Sequence, residues 1–503
     1  MKAMEGGGGS RGYETVDVSG LEGGLRGAAE SGSAKTERRL FYVATVLLML
    51  ALLLSMPGAP PAGQGAPQEA AAPGRMNASG PDFCLAEDDS WTLPGDTPPP
   101  PPAPPPILFV NCRVWTGGPA GLLEGASLLV SGGKVAGIGE GLVAPPGAER
   151  VDCGGAWVTP GIVDIHSHLG VFPYPGDWAA NGDGNEYGAS GPGNGGIMNM
   201  VRALDAIDPE DPAIQQIRSG GVTTSQVLPG SGNMMGGESV AVKMTGGPDC
   251  VGCTVKSMVI PEFRGLKMAC GENTKRSEKL AGGFWPNTRM GSAYKMREQF
   301  FAVNRHDTLS PPVRSDQGVS DRQRCCCSQA KKYMQAQDDW DAACAAGNKQ
   351  EVRRPKDLSL DSLVALLRGE AKLHNHCYQV HDMEMMIRLS HEFGFKIAAF
   401  HHTLESYKIL PELIKEGIAA ATWPDDWVGK AEGYDTSFHT PAWTVAAGAM
   451  LVLKSDHPVT DAKALMYSGA RAVHYGLPQD EALKALTINA ATVLGLDHRV
   501  GCE

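Results

Sequence analysis

Four short apolar runs in this chain end in side chains able to bind a metal ion. IVDIHSH ends on His166 and His168, AKLHNH on His374 and His376, KIAAFHH on His401 and His402, and AMLVLKSD on Asp456. Alternate residues of an extended strand share a face, so His166 and His168 point the same way. Imidazole nitrogens with a carboxylate oxygen suit zinc, and a catalytic zinc site leaves one coordination position for water. Each run alone says little, because a strand-end histidine is more often a satisfied polar group and adjacent histidines also fit a turn. Their ordered occurrence together points to a metal centre.

Such side chains must be positioned by the elements that carry them. From residue 161 the pattern is one of apolar runs separated by helical stretches. The candidate strands are IVDIHSH, VTTSQVLP, KSMVIP, GLKMA, AKLHNH, KIAAFHH, GIAAATW and AMLVLKSD. Near-continuous apolarity is what strands buried on both faces of a parallel sheet require. Amphipathic stretches over 382–392 and 404–416 are candidate helices. Eight strands with intervening helices predict a (β/α)8 barrel over 159–503, with functional residues at the strand ends. An Arg-, Gln- and Cys-rich stretch from about 275 to 357 reads as an insertion. Ahead of the barrel, ILFVNCRVWTG, ASLLVSGGKVAGIGEG and ERVDCGGAWVTPG predict a small β domain over 107–158, punctuated by glycine turns.

Composition bounds the rest. The 503 residues are enough for a large barrel with accessory parts, and a formal charge of −12 with no dense Lys/Arg run excludes a nucleic-acid surface. Residues 1–38 are Gly/Ser-rich and polar, a disordered cytosolic tail. Residues 40–56 form an uncharged apolar run at the short end of what spans a bilayer. Lys35, Arg38 and Arg39 precede it and no basic residue follows until Arg75, so the positive-inside rule keeps the N-terminus cytoplasmic and sends the body across. This predicts a single-pass signal-anchor with a lumenal or extracellular body, the alternative being a secreted protein whose apolar run is cleaved. Residues 57–106 are a Pro-rich spacer ending in PPPPPAPPP. Asn77-Ala78-Ser79 is a sequon. Among twelve cysteines, the spacing of Cys250 and Cys253 fits a local disulfide as well as a metal, and the run Cys325-Cys326-Cys327 suggests no chemistry. Nothing here speaks to oligomeric state.

The stretch Val158-Thr-Pro-Gly-Ile-Val-Asp-Ile-His-Ser-His168 resembles the first barrel strand of the amidohydrolase superfamily with its two metal-binding histidines. GGKVAGIGE and VDCGGAWVTPG resemble the small β domain that precedes that barrel, and Gly220-Gly-Val-Thr-Thr224, Gly265-Leu-Lys-Met268 and YGLPQDEALKALTINAATVLG also fit. The resemblance covers most of 107–503 and is nearest to imidazolonepropionase-like members. It implies a (β/α)8 barrel with a small N-terminal β-sandwich domain and one or two Zn²⁺ or other divalent ions. It further implies His166 and His168 as ligands from the first strand, His374 from the fifth, His402 from the sixth and Asp456 from the eighth. His376 is then a substrate or outer ligand candidate. Two-metal members bridge their ions with a fourth-strand group, often a carboxylated lysine; Lys267 is the best placed here and Glu272 competes with it.

The chemistry so implied is hydrolysis of an amide or cyclic amide, other than an ordinary protein peptide bond, by metal-activated water. Asp456 would serve as general base and acid, and His402 would polarise the carbonyl. The partner is a small-molecule amide; loops at 183–186 and 230–236 could contact it. A membrane-anchored binding or scaffold protein on the same barrel, without catalysis, is the alternative. Members of this type usually continue with C-terminal strands that rejoin the small β domain, and the chain ends where that return would start. The expectation is therefore of missing return strands and an incomplete chain.

Overall fold

Alternation of buried and exposed residues along ILFVNCRVW makes β1 (Ile107–Trp115) the central strand of a five-stranded sheet. It pairs antiparallel with β2 (Leu122–Ser131), which pairs with β3 (Lys134–Gly139); β4 (Glu149–Asp152) and β5 (Trp157–Val158) run parallel to β1. Ser131 pairs with Lys134 across Gly132 and Gly133, whose φ values are 59° and 73°. A two-residue hairpin turn of this hand needs positive φ at both positions, which glycine adopts without strain. The buried face is small, chiefly Cys112, Val114 and Ala126, and a Cys112–Cys153 disulfide ties β1 to the loop after β4.

The computed structural model describes residues 104–174, 196–248, 250–275, 286, 288–301, 329–348, 354–427 and 430–501. Among these, no helix is long and apolar enough to cross a membrane. The expected anchor at 40–56 lies outside them, as do the tail 1–38, nearly all of the spacer 57–106, Asn77, the run 325–327 and the loop 183–186.

Eight strands form the second sheet: β6 (Ile162–Ser167), β7 (Val222–Val227), β8 (Met235–Lys243), β9 (Val259–Ala269), β10 (Lys372–His376), β11 (Ile397–His401), β12 (Ala419–Thr422) and β13 (Leu451–Leu453). Neighbours in sequence are neighbours in the sheet. The ring closes where the Asp456 N–H donates to the His166 carbonyl and the His168 N–H to the His457 carbonyl, each at 2.8 Å. This is a near-barrel of the expected size, with one correction. β8 runs antiparallel to both β7 and β9, so the barrel is not a uniform (β/α)8 repeat.

The strand identities shift accordingly. KSMVIP and GLKMA both feed one long strand, β9, while MGGESVAVK, partly read as a substrate loop at 230–236, is β8. Pro261, Glu262 and Arg264 interrupt the apolar run of β9. Ala241 pairs with Ile260 and Ser239 with Gly265, so Val240 alone stands opposite residues 261–264 and the polar stretch bulges out. Gly237 has φ 118°, and a Cβ there would lie 2.4 Å from the Val201 carbonyl oxygen. Gly237, next to the expected loop, is required by a close backbone approach within a strand.

Helices Asp361–Arg368, Val380–Phe393, Leu410–Glu416 and Ile488–Leu494 each end on a left-handed glycine, Gly369, Gly394, Gly417 and Gly495. The first three then deliver the chain into β10, β11 and β12. The helix expected at 404–416 is shorter: a 3-10 turn occupies Ser406–Lys408, and the α-helix starts at Leu410 with Pro411 in its first turn. Two helices of the insertion, Arg289–Phe301 and Gln329–Ala345, are described. The first docks through Phe300, whose ring stacks on Phe393 at 4.8 Å and Phe395 at 5.0 Å. Arg289 from the same helix reaches Asp382, Gln379 and Glu432.

Candidate metal centre

β6 and β13 carry the centre. His166 is the penultimate residue of β6 and His168 follows the strand directly, while Asp456 lies three residues past Leu453, the end of β13. Asp456 Oδ1 stands 3.1 Å from His166 Nε2 and 3.2 Å from His168 Nε2. The three ligand atoms fall within 4.8 Å of one another, and all three residues are buried. His168 Nδ1 lies 2.8 Å from the Leu228 carbonyl, which can only accept, so the ring donates there. Its Nε2 is directed at the carboxylate oxygen that His166 Nε2 also meets. Two imidazole nitrogens and a carboxylate oxygen converging in a buried site are a donor set that fits a divalent cation.

Backbone strain marks the same place. Three non-glycine residues among those described have positive φ, and two are His402 at 61° and Asp456 at 73°. Such conformations cost about 1–3 kcal/mol each and persist where surrounding structure enforces them. At His402 the turn lets two adjacent residues serve different layers: the His401 side chain stays in the barrel interior, and His402 turns to the mouth.

There His402 packs against His376, with ring centroids 4.3 Å apart. Among the described residues, neither nitrogen of His376 has a hydrogen-bond partner, nor has His402 Nε2. Lys454 Nζ lies 2.6 Å from His402 Nδ1 and 3.2 Å from the centroid of the Trp423 ring. Lys267 Nζ stands 3.5 Å from His166 Nε2 and donates to the Pro229 carbonyl at 3.3 Å. Glu272 instead takes the Glu432 N–H at 3.2 Å. The structure therefore brings His166, His168, Asp456, His402, His376 and Lys267 together. His374 is set apart, its Nδ1 lying 2.9 Å from His401 Nε2.

Burial dominates the electrostatics. It holds His166, His376, His401 and His402 well below the usual histidine range, with nearby lysines acting in the same direction. His374 falls to about 3 from burial, helped by Lys372 and Lys267. Burial also lowers Lys267 and Lys454 to about 7, although Asp456 opposes it in both. On Asp456 burial pushes upward, but Lys454, His402 and His166 together hold the carboxyl well below its ordinary value.

Asp164, Ser455 and Lys454 were not singled out in the sequence. Asp164 is fully buried and accepts the N–H groups of His166 and Ser455, each at 3.1 Å, and the Ser455 hydroxyl. It thereby latches β6 to the end of β13 and fixes the backbone on both sides of the centre. Alternation held the signal: Asp164 precedes His166 by two, and Lys454 precedes Asp456 by two.

No family model matches the chain. It is 32% identical over 473 residues to amidohydrolase tasK of Hapsidospora irregularis, covering 86% of this chain and 42% of that protein. It is 33% identical over 137 residues to the imidazolonepropionase of Pseudomonas aeruginosa strain LESB58, covering 25% of this chain and 34% of that enzyme. The chain thus spans less than half the length of these curated relatives. The crystal structure of an amidohydrolase from Thermotoga maritima MSB8 aligns with a TM-score of 0.64 and 31% identity, over 79% of this chain and 90% of that one. With that protein matched over nearly its whole length, the chain belongs to the amidohydrolase family.

Proposed function

We propose that the chain is a metal-dependent hydrolase that cleaves an amide or cyclic amide C–N bond other than an ordinary protein peptide bond. The observation that carries this reading is the convergence of His166 Nε2 at 3.1 Å and His168 Nε2 at 3.2 Å on Asp456 Oδ1, all three residues being buried. His166, His168 and Asp456 would hold a divalent ion such as Zn²⁺. His376, with both nitrogens unpartnered, is a better fourth ligand than His374. Lys267 is the candidate bridging group should a second ion bind, and its neutral amine near pH 7 is the form that carboxylation needs. When bound, the ion acts as a Lewis acid and brings the pKa of a water ligand down from 15.7 to roughly 7.

The remaining steps fall to the chain. Asp456 takes the proton of the attacking water and returns it to the leaving nitrogen as the C–N bond breaks. Lys454 Nζ stands 2.6 Å from His402 Nδ1, and with the ammonium donating there the neutral His402 ring would carry its proton on Nε2. That N–H is a donor for the substrate carbonyl oxygen, and it strengthens as negative charge develops there. This favours a carbonyl-polarising role for His402 over metal ligation.

The deciding experiment is metal analysis of the purified chain joined to an activity screen over linear and cyclic amides. Bound divalent metal and turnover of one substrate class are expected. A metal-free chain inert across the panel would favour the non-catalytic scaffold.

We also propose that residues 40–56 anchor the protein, with the N-terminus cytoplasmic and the body lumenal or extracellular. The disulfides Cys112–Cys153, Cys250–Cys253 and Cys270–Cys377 support an oxidising compartment for the body. Sequencing the mature N-terminus separates an anchor from a cleaved signal.

A further inference from the structure

Behind the metal centre, a row of three imidazoles runs into the barrel interior. His166 Nδ1 lies 2.8 Å from His401 Nδ1, and His401 Nε2 lies 2.9 Å from His374 Nδ1. All three residues are fully buried. In such surroundings an unpaired charge is costly and the His401 ring is neutral. A neutral imidazole donates through one nitrogen and accepts through the other.

That constraint couples the two outer rings. If His401 accepts at Nδ1, His166 donates from Nδ1 and keeps a bare Nε2. His401 then donates from Nε2 to His374 Nδ1, and the His374 proton resides on its Nε2. In the opposite assignment His374 has the bare Nε2, and the Nε2 of His166 is protonated. One ring or the other can offer an Nε2 lone pair to a metal, but not both.

Position selects between them. His166 Nε2 faces Asp456 Oδ1 within the cluster that includes His168. His374 lies outside that cluster, and its ring meets Phe263 edge-on at 5.9 Å. We infer that His401 is a positioning residue that presents the Nε2 of His166 to the metal and excludes His374 from the ligand set. The inference rests on the metal centre proposed above and goes beyond it, because the family resemblance made His374 a ligand and gave His401 no part.

The test is zinc binding by the full chain, read as metal content and as affinity in competition with a chromophoric chelator. Cobalt(II) absorption serves as a second readout that depends on the ligand set. His166→Gln is expected to lose bound zinc. His374→Gln should keep zinc, with the affinity and cobalt spectrum of the parent. His401→Ala should weaken zinc binding by about 10–100-fold, the usual effect of removing an orienting partner of a ligand. His401→Gln should recover most of it, because its side-chain carbonyl can accept the His166 Nδ1 proton. Loss of zinc in His374→Gln to the extent seen in His166→Gln would overturn the inference, as would parental affinity in His401→Ala. If His401→Ala does not fold, the His374→Gln result decides alone. A parent chain that takes up no zinc overturns the metal centre itself, an outcome distinct from loss in the His374 variant alone.

Discussion

The mouth of the barrel and the small sheet of β1–β5 solve opposite problems. The barrel interior and its mouth together bury Asp164, Lys267, Lys454, Asp456 and seven histidines, and hold His402 and Asp456 at positive φ. Desolvated charges and strained backbone do not stabilise a fold; they persist because the surrounding barrel core is large enough to enforce them. The small sheet buries little beyond Cys112, Val114 and Ala126 with their partly buried neighbours, and carries none of the candidate chemistry. It offsets its small core with a disulfide and with a contact to the barrel, where Trp115 Nε1 donates to Asp480 at 2.6 Å. Chemistry is concentrated where packing can tolerate its cost, and covalent reinforcement appears where packing is thin.

The contrast can be broken at either end. The largest effect is expected for Asp456→Asn, with kcat down by about 10²–10⁴-fold on any amide the parent turns over. Near-parental turnover would remove Asp456 from the proton-transfer role. In the small sheet, Cys112→Ser should cost about 2–4 kcal/mol in denaturant unfolding of that region and leave kcat unchanged. A fall in kcat matching the loss of stability would mean that the two regions are not separable in this way.

Asp164 gives a pH-dependent test. Burial raises its carboxyl to about 6 against the hydrogen bonds from Ser455 and His166, above an unfolded value of roughly 3.9. Its contribution to stability is therefore fully present below about pH 4 and lost as pH rises through about 6. Asp164→Asn keeps an acceptor for both backbone N–H groups but does not titrate. With chelator present, its unfolding free energy should gain on the parent by up to about 3 kcal/mol between pH 4 and 7. Parallel pH profiles for the two proteins would exclude a raised carboxyl. The smallest effect is Trp115→Phe, which removes the bond to Asp480 and should lower stability by about 1 kcal/mol in thermal or denaturant unfolding.

Much of the site was legible because strand ends in a barrel converge. Alternation along IVDIHSH put His166 and His168 on one face, the strand-end position of Asp456 in AMLVLKSD put it at the same end of the barrel, and the structure brings their ligand atoms within 4.8 Å. The fifth strand was less readable. His374 and His376 share a face by the same alternation, and although His376 is the residue nearer the strand end, the resemblance pointed to His374 as the ligand. β8 was missed for a different reason: the Gly-rich run 230–236 read as a loop that ran into its start, and only the structure shows Val201 occupying the space a Cβ at Gly237 would need.

The sequence by itself determined the family, the barrel class and the residue types of the centre, because those depend on local periodicity and on motifs a few residues long. Only the tertiary structure decided that β8 runs antiparallel, that His376 stands beside His402 while His374 meets His401, and that Lys267 rather than Glu272 reaches the histidines. Those outcomes depend on strand register, on depth within the barrel and on which ring nitrogen meets which neighbour. These are distances between residues far apart in the chain, and no local pattern encodes them.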